Sequence, residues 1–335
     1  MTEYHFTGTN SDDTAAVHNL ALSASNEGGG VIILHGMVYV NQLVIPGGYG
    51  AGVSLRGDGM DGTEIRATHT ATSFLVRTEG YGSVQDLYIN GFNRPVICLN
   101  VAGGRTYLNN IYTQGTVDGG GILVSHSGSI QAGSIRSGNH TGGIAFEQAG
   151  SASPDGEYGQ LWVHQAEIGA RFQNGAQQFS TLHSWGNRTY GVVLDGASCN
   201  IGTAYIETNG LTTGHAGMLL TSSDATVAAG DFAKNGGPGI TVAPGSKGHS
   251  IVGCSFRENG RFEGAPGLMN HGTEVGVMGC GFFDRRSSPT QTYAIEESPA
   301  SDYNVYVGNR MRRVNHRDGT LRLYGVNNKK SKNIR

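Results

Sequence analysis

The sequence contains little cysteine, little proline and little charge. Of its 335 residues, 4 are cysteine and 8 are proline, and 15% are charged. So few thiols exclude the disulfide framework on which small secreted domains depend. We therefore predict free thiols at all four positions, which are Cys98, Cys199, Cys254 and Cys280. The 23 basic and 26 acidic residues nearly balance and form no basic stripe, so nucleic acid is not an expected partner.

Two further absences concern membranes and export. The first residues lack the basic and apolar segments of a secretory signal peptide. No apolar stretch reaches the roughly 20 residues that a transmembrane helix needs. We therefore predict no membrane insertion and no export through a signal peptide.

Glycine, in contrast, is abundant, at 55 residues. One set of glycines recurs at intervals of 22, 26, 22, 26, 22 and 28 residues, and each opens a short, mostly apolar run. The members of this set are Gly121, Gly143, Gly169, Gly191, Gly217, Gly239 and Gly267. A strand that restarts after a tight turn once per repeat is typical of a solenoid, whose successive coils stack on one another.

Asparagine follows the same period. Asn139, Asn187 and Asn235 each lie four residues before one of these glycines, and Asn209 and Asn259 lie eight before theirs. Asparagine tolerates the left-handed backbone of a sharp corner, and stacked asparagine side chains can bond from coil to coil. The segments are too often interrupted for helical repeats, and no leucine-rich repeat signature is present. The pattern predicts an all-β protein, a right-handed parallel β-helix with coils of 22 to 28 residues.

The start of the chain has a different pattern. Residues 11–20 predict a helix capped by Ser11, with Asp12 and Asp13 in its first turn. Such a helix would cover the open end of a β-helix, whose unpaired backbone groups would otherwise recruit other strands. We predict three parts: a capping segment over residues 1–30, the β-helix over residues 31–328, and a basic tail over residues 329–335 that can be disordered.

Three segments near the start resemble the opening of the pectate-lyase-like superfamily. They are Asn-Ser-Asp-Asp-Thr-Ala-Ala at 10–16, Gly-Gly-Gly-Val-Ile at 28–32 and Leu-Arg-Gly-Asp-Gly at 55–59. That superfamily includes phage tailspikes, polysaccharide lyases, glycosidases and alginate epimerases. The Asp-Pro-His signature of mannuronan epimerases and the Asn-Thr-Asp and Gly-His-Gly motifs of polygalacturonases are missing, and no calcium-binding acid cluster is visible. In character the chain is most similar to the spike proteins that depolymerise bacterial capsule or lipopolysaccharide.

This resemblance implies a homotrimeric spike whose partner is a bacterial surface polysaccharide. It also implies a place on the surface of a virion or similar particle if the protein comes from a phage, or outside the cell if a signal segment has been removed. No motif requires a cofactor or a metal ion, and we predict neither.

The asparagine register also sorts strand residues by face, because side chains alternate and equivalent positions of successive coils lie side by side. The predicted inward rows are Leu182, Ala204, Cys254 and Cys280, and Ile206, Phe232, Phe256 and Phe282. One predicted outward row contains Tyr88, Tyr112, Arg136, Trp162, His183, Tyr205 and Asp231. The outward row beside it contains His164, Trp185, Glu207 and Arg257.

Flat aromatic rings along a shallow groove hold sugar rings by apolar contact. We therefore predict a substrate-binding set of Trp162, His164, Trp185, Arg136, Tyr112, Arg257 and Lys234. The alternative is that this aromatic stripe is buried against a neighbouring chain of a trimer.

Two carboxylates in these rows suit catalysis. Glu207 and Asp231 lie on adjacent coils at positions offset by two residues, which places their carboxylates within about 5 to 10 Å of each other. In a glycoside hydrolase one would protonate the leaving oxygen and the other would activate water or attack. His183 and Tyr205 would tune or orient them.

Two alternatives remain open at the level of sequence. In a polysaccharide lyase, His183 or Tyr205 would remove the proton next to a uronate carboxyl group, which Arg257 or Lys234 would neutralise. A receptor-binding or structural virion spike would use the same face without catalysis. The basic runs at 310–317 and 329–335 are predicted to be solvated or to contact another subunit, since acidic glycan binding is the rarer role of a charged terminus.

Overall fold

The computed structural model describes residues 1–47, 52–125, 128–149, 155–312, 314, 321–331 and 333. It is an all-parallel β-solenoid of about 13 turns, which confirms the predicted right-handed parallel β-helix. The chain divides into two compact units, Met1–Ala166 and Glu167–Arg335. Within the described ranges, no helix is long and apolar enough to cross a membrane.

The described residues of unit 1 form one helix and parallel strands, several of them long. The helix is α1 (Thr14–Asn26). The strands are β1 (Thr2–Thr7), β2 (Gly30–Val40), β3 (Leu43–Pro46), β4 (Val53–Arg56), β5 (Thr63–Ala67), β6 (Phe74–Glu79), β7 (Gly82–Arg94), β8 (Ile97–Gly103), β9 (Thr106–Val117), β10 (Gly120–Val124) and β11 (Ile130–Gln148), with β12 (Gly156–Phe172) running past the unit boundary.

The capping segment contains a strand as well as the helix, because β1 pairs in parallel with β2. The helix starts at Thr14 with Asp13 at its N-cap, so the prediction that Ser11 caps it is wrong. The Asp12 carboxylate accepts a hydrogen bond from the Thr14 backbone N–H at 3.0 Å. Asp13 accepts one from the Tyr39 backbone N–H at 3.2 Å. The start of the helix thus has a local bond to Asp12 and a bond between Asp13 and a distant strand, and the local capping pattern does not contain the second.

Unit 1 departs from the glycine register at its first interval. Ile122 pairs with Phe146, so Gly121 lies beside Ala145 and not beside Gly143 as predicted. Both glycines precede apolar runs, and only the backbone pairing of adjacent coils shows which run aligns with which.

Asn139 also lies outside the inner stack that its position predicted. It is exposed, with φ of 57°, and the buried side chain at this corner is His140. Nδ1 of His140 lies 2.8 Å from Thr116 Oγ1, and its Nε2 lies 3.1 Å from Ser137 Oγ. Burial lowers the pKa of His140 to about 3, so a neutral imidazole occupies the corner.

Unit 2 is built of shorter strands. They are β13 (Ala176–Trp185), β14 (Val192–Leu194), β15 (Ser198–Glu207), β16 (Met218–Leu220), β17 (Thr226–Ala228), β18 (Asp231–Ala233), β19 (Ile240–Val242), β20 (Ser250–Val252), β21 (Ser255–Arg257), β22 (Leu268–Asn270), β23 (Gly276–Met278), β24 (Gly281–Phe283), β25 (Ile295–Glu297), β26 (Val305–Val307), β27 (Arg310–Arg312), β28 (Leu321–Arg322) and β29 (Lys329–Ser331).

These strands stack into three parallel faces. The first face contains β14, β16, β19, β22, β25 and β28. The second contains the first halves of β13 and β15, then β17, β20, β23, β26 and β29. The third contains the second halves of β13 and β15, then β18, β21, β24 and β27. Because β29 pairs with β26, the β-helix extends into the segment predicted as a tail.

Buried amides close the corner after the third face of unit 2. Nδ2 of Asn187 donates to Asn209 Oδ1 at 2.8 Å, Asn209 donates likewise to Asn235 at 3.2 Å, and Asn235 to Asn259 at 3.0 Å. Each accepting Oδ1 also takes the backbone N–H of the asparagine before it, at 3.0 to 3.2 Å. The predicted asparagine stack is thus confirmed in unit 2, where it satisfies the buried backbone groups of each corner.

The inward side of the third face is apolar. Ile206, Phe232, Phe256 and Phe282 pair in sequence across the coils, and all are fully buried. The Phe256 ring stacks on Phe232 at 5.1 Å and on Phe282 at 4.6 Å. Both predicted inward rows of unit 2 are confirmed, and all four cysteines are buried and free. This dry stack holds the strands in place, so the outward side chains of the face have fixed positions.

Candidate functional site

The candidate site lies on the outward side of the third face of unit 2. His183, Tyr205 and Asp231 pair across three successive coils and form one row. Trp185, Glu207, Ala233 and Arg257 form the row beside it. We call these side chains, without Ala233, the third-face cluster. Tyr205 pairs with Asp231, so Glu207 is the diagonal neighbour of Asp231, as predicted.

His183 connects the aromatic and acidic parts of the cluster. Its ring centroid lies 4.4 Å from that of Trp185 and 5.8 Å from that of Tyr205. Its Nε2 lies 3.5 Å from Glu207 Oε1, at the outer limit of a hydrogen bond. Burial lowers the pKa of His183, although the Glu207 carboxylate opposes this. The imidazole is therefore mainly neutral near pH 7 and able to accept a proton.

Asp231 and Arg257 form an ion pair across adjacent coils. Nε of Arg257 donates to the two carboxylate oxygens of Asp231 at 2.8 and 3.1 Å, and its Nη2 donates to Oδ2 at 2.5 Å. The hydrogen bond to Asp231 raises the pKa of Arg257. The small side chain of Ala233, between Glu207 and Arg257, leaves room for Arg257 to reach back to Asp231. The charge of Arg257 is thus matched within the protein, and the Asp231 carboxylate has a fixed orientation.

Lys234 lies beside the outward rows, at the corner that follows β18. Its backbone is left-handed, with φ of 57°, and its N–H donates to the Arg257 carbonyl oxygen at 2.9 Å. Thr208 and Glu258 follow the neighbouring strands with φ of 56° each. Lys234, which was predicted to bind substrate, therefore lies at the edge of the cluster.

Unit 1 contains the other predicted aromatic positions. Tyr88, Tyr112 and Arg136 pair in sequence, as predicted. The two tyrosine rings stack at 5.2 Å, and the Arg136 guanidinium lies 4.9 Å from the Tyr112 ring centroid. The Tyr112 hydroxyl donates to Gln114 Oε1 at 2.7 Å, and Gln114 Nε2 donates to the Tyr88 hydroxyl. Burial raises the pKa of Tyr88 to about 12.

Trp162 and His164 have opposite environments. Trp162 is 37% exposed, in agreement with its predicted outward position. His164 is 3% exposed, so its predicted outward position is covered and not open to solvent. Its ring lies against Gly138, 2.3 Å from where a Cβ would stand, and Arg136 Nε donates to His164 Nε2 at 3.3 Å. The absence of a side chain at Gly138 creates the space that the imidazole fills.

Sequence reasoning missed the continuation of both outward rows. Phe283 follows Arg257, and Arg312 follows Phe283, while Arg310 stands two residues before Arg312 in the parallel row. These outward residues alternate in sequence with the buried Phe282 and Met311, and this alternation could have predicted their position. Arg313, residues 315–320, Lys332 and residues 334–335 of the two basic runs lie outside the described residues. No group of three or more His, Cys, Asp or Glu side chains in the described part of the chain could hold a metal ion.

No protein-family model and no curated protein matches the sequence, but solved structures match the fold. The A-module of the mannuronan C-5 epimerase AlgE6 from Azotobacter vinelandii superposes with a TM-score of 0.83 at 19% identity, covering 99% of this chain and 98% of that one. The catalytic unit of the α-1,3-glucanase from Streptomyces thermodiastaticus gives 0.68 at 11% identity, covering 97% and 66%. Tailspike protein 3 of bacteriophage CBA120 gives 0.59 at 13% identity, covering 97% and 59%.

All these proteins have the right-handed β-helix fold that the resemblance implied. At such low identity the likeness concerns the fold alone. The epimerase A-module covers this chain almost from end to end, yet the Asp-Pro-His signature is absent from its sequence.

Proposed function

We propose that this protein binds a polysaccharide along the third face of unit 2 and hydrolyses it at the third-face cluster. The observation that carries the proposal is the placement of Glu207, Asp231 and His183 with two aromatic rings on adjacent coils of one outward face. The named activities of two fold neighbours, a mannuronan epimerase and an α-1,3-glucanase, support a carbohydrate substrate.

Glu207 is the proposed proton donor to the leaving oxygen. Among the described residues its carboxylate has one neighbour within ion-pair distance, His183, and its side chain is 40% exposed. A neutral His183 forms no ion pair with Glu207, whereas a protonated His183 would form one. Trp185 and the 46% exposed Tyr205 would hold the faces of the flanking sugars.

Asp231 is the proposed base or nucleophile. Its bonds to Arg257 keep it an oriented carboxylate. Diagonal neighbours on adjacent strands lie about 7 to 8 Å apart, and two carboxyl groups at comparable separations serve hydrolysis with inversion or, when closer, with retention. The pair therefore supplies the acid and the base that glycosidic hydrolysis needs.

The lyase alternative is weaker in this geometry. It requires a cation that neutralises a uronate carboxyl group next to the base, and Arg257 already neutralises Asp231. Lys234 lies at the corner of the face. His183 remains a suitable base, so the product must be examined for an unsaturated uronate.

Incubation with a panel of bacterial capsular and lipopolysaccharide glycans tests the proposal. We expect chain shortening without ultraviolet absorbance, and at least a hundredfold slower shortening by Glu207→Gln. Absorbance of an unsaturated uronate would establish a lyase. Binding without shortening would establish a receptor-binding protein. If the protein neither binds nor shortens any glycan, a structural role would be the remaining interpretation.

A homotrimer on the surface of a phage particle is the assembly that we propose for this function. The tailspike neighbours are the support for this location. Sedimentation of the purified protein would give the mass of one chain if the trimer does not form.

A further inference from the structure

We propose that the third face carries a second, separate site, formed by Phe283, Arg285, Arg310 and Arg312, which binds an anionic sugar unit of a polysaccharide. We call it the arginine site. It relies on the proposed function only in taking a glycan as its ligand. Its charge, its aromatic ring and its place in the outward rows carry the inference.

Register defines the arginine site. Phe283 pairs with Arg312 and follows Arg257 in the same outward row. Arg310 pairs with Gly281, whose missing side chain leaves the surface beside it open. The Arg285 guanidinium lies 5.0 Å from the Phe283 ring centroid. Arg312 therefore lies beside one half-buried aromatic ring, Arg310 is the diagonal neighbour of that ring, and Arg285 reaches it from just past the end of β24.

Among the described residues, no acidic group forms an ion pair with these cations. All three arginines are exposed. Asp284 is adjacent in sequence, but it is fully buried and accepts hydrogen bonds from Arg286 Nε at 3.0 Å and Nη2 at 2.6 Å. The backbone N–H groups of Thr290 and Gln291 also bond Asp284. Its charge is therefore not available to the exposed arginines.

The contrast with Arg257 indicates an external anion. Arg257, two coils earlier than Arg312 in the same row, has Asp231 as an internal partner. The arginines of the arginine site repel one another, and an external carboxylate, phosphate or sulfate would relieve this repulsion while Phe283 contacts the sugar ring.

The site lies at a distance from the proposed reaction. Glu207 and Arg312 are four coil steps apart in one row, which is about 19 Å at the usual spacing of strands. A glycan running along the face would place an acidic sugar several units away from the bond that Glu207 and Asp231 cleave. The preferred ligand is therefore a polymer with recurring acidic units and not a fully neutral glycan.

Binding to matched pairs of polymers tests the arginine site. Polygalacturonate, oligomannuronate and hyaluronan are compared with their carboxyl-reduced forms, and sulfated with unsulfated dextran, by calorimetry at two salt concentrations. We expect at least one acidic form to bind about tenfold more tightly than its neutral counterpart, which corresponds to about 1.4 kcal/mol. The variant R310Q/R312Q should lose that difference. The control R188Q/R261Q removes the same charge from other exposed positions of unit 2 and should keep it.

Four results would overturn the inference. Three of them are equal binding of acidic and neutral forms, an unchanged preference in R310Q/R312Q, and binding of single-stranded DNA as tight as that of the best glycan. Loss of the preference in R188Q/R261Q as well would show a general charge effect and would also overturn it. Failure of the proposed hydrolysis is distinguishable, because a glycan would then bind with the acidic preference but remain uncleaved.

Discussion

The two units build the same coil in different ways. In unit 1 an inward row runs Ile65, Ile89, Thr113 and Ser137, so its core becomes polar towards His140. In unit 2 the corresponding row is a stack of phenylalanines. On the outward sides, the polar groups are bonded to one another in unit 1 and left accessible in unit 2. In unit 1 Tyr88, Tyr112 and Gln114 bond to one another, whereas in unit 2 Glu207 and Tyr205 keep exposed polar atoms.

This difference shows where chemistry is possible on a regular fold. Polar groups that satisfy one another make a fixed surface with little capacity for a reaction. A surface that keeps a carboxylate, a phenol and a neutral imidazole available needs a rigid support beneath it, and the dry phenylalanine stack supplies that support in unit 2.

The largest effect is expected from breaking the support. Phe256→Ala should lower the free energy of unfolding by about 3 to 5 kcal/mol, because a fully buried ring between two stacked rings leaves a cavity. Phe262 is 46% exposed, so Phe262→Ala should change the value by less than about 0.5 kcal/mol. Denaturant unfolding measures both, and equal losses would contradict the role of the stack.

A comparison of two ion pairs tests the outward sides directly. Arg66 bonds Glu64 at 2.7 and 2.9 Å in unit 1, and Arg257 bonds Asp231 in unit 2. Asp231→Asn should slow depolymerisation at least a hundredfold, because the proposed base is lost. Glu64→Gln should leave the rate within about threefold, since Glu64 has no part in the reaction. Similar rates for both variants would remove Asp231 from the mechanism.

The pH dependence of depolymerisation should report His183. Its pKa is lowered by burial, so the neutral form predominates at neutral pH and is lost only as the pH falls through that lowered pKa, which lies below the ordinary value of 6.5. We expect the rate to fall along an acidic limb below pH 6.5, by about tenfold per pH unit where protonation is complete. A pH–rate profile of His183→Asn that keeps the same acidic limb would exclude His183 as its origin.

The last prediction concerns the inner corner of unit 1. The pKa of His140 is lowered from 6.5 to about 3, so the unfolded chain binds one more proton than the folded chain between these values. The free energy of unfolding should therefore fall as the pH drops from 6.5 towards 3, with a contribution of at most about 1.4 kcal/mol per pH unit.

His140→Asn is the matched variant, because Asn187 donates to Ser184 in unit 2 at 2.9 Å, much as His140 meets Ser137. The free energy of unfolding of the variant should depend less on pH than that of the parent protein over this range. Parallel unfolding curves at pH 4 and pH 7 for the two proteins would contradict the assignment.

The sequence predicted unit 2 better than unit 1. In unit 2 the corner after the third face repeats a buried asparagine before the next glycine, so the inward phenylalanines and the outward Tyr205, Glu207 and Asp231 could be placed from spacing alone. In unit 1 the equivalent corner holds His140 in place of asparagine, and several strands are long. The register of Gly121 was therefore predicted wrongly.

Other errors share one physical cause, which is contact between residues far apart in sequence. His164 was predicted to be open to solvent, but its ring is covered in the space that Gly138 leaves on the preceding coil. Ser11 matched the capping pattern, but Asp13 is at the N-cap and bonds the Tyr39 backbone. Neither partner is visible in the local pattern.

The sequence by itself determined the coil, the β-helix and the face on which the third-face cluster lies, because a repeat of glycine and asparagine leaves few ways to stack. Only the tertiary structure decided which charges are matched. Arg257 and the arginines at 310 and 312 look alike in sequence, but Asp231 on the preceding coil neutralises the first and no described acid neutralises the others. Side-chain pairing between coils depends on the reach and packing of individual residues, and that information arises only when the coils are stacked.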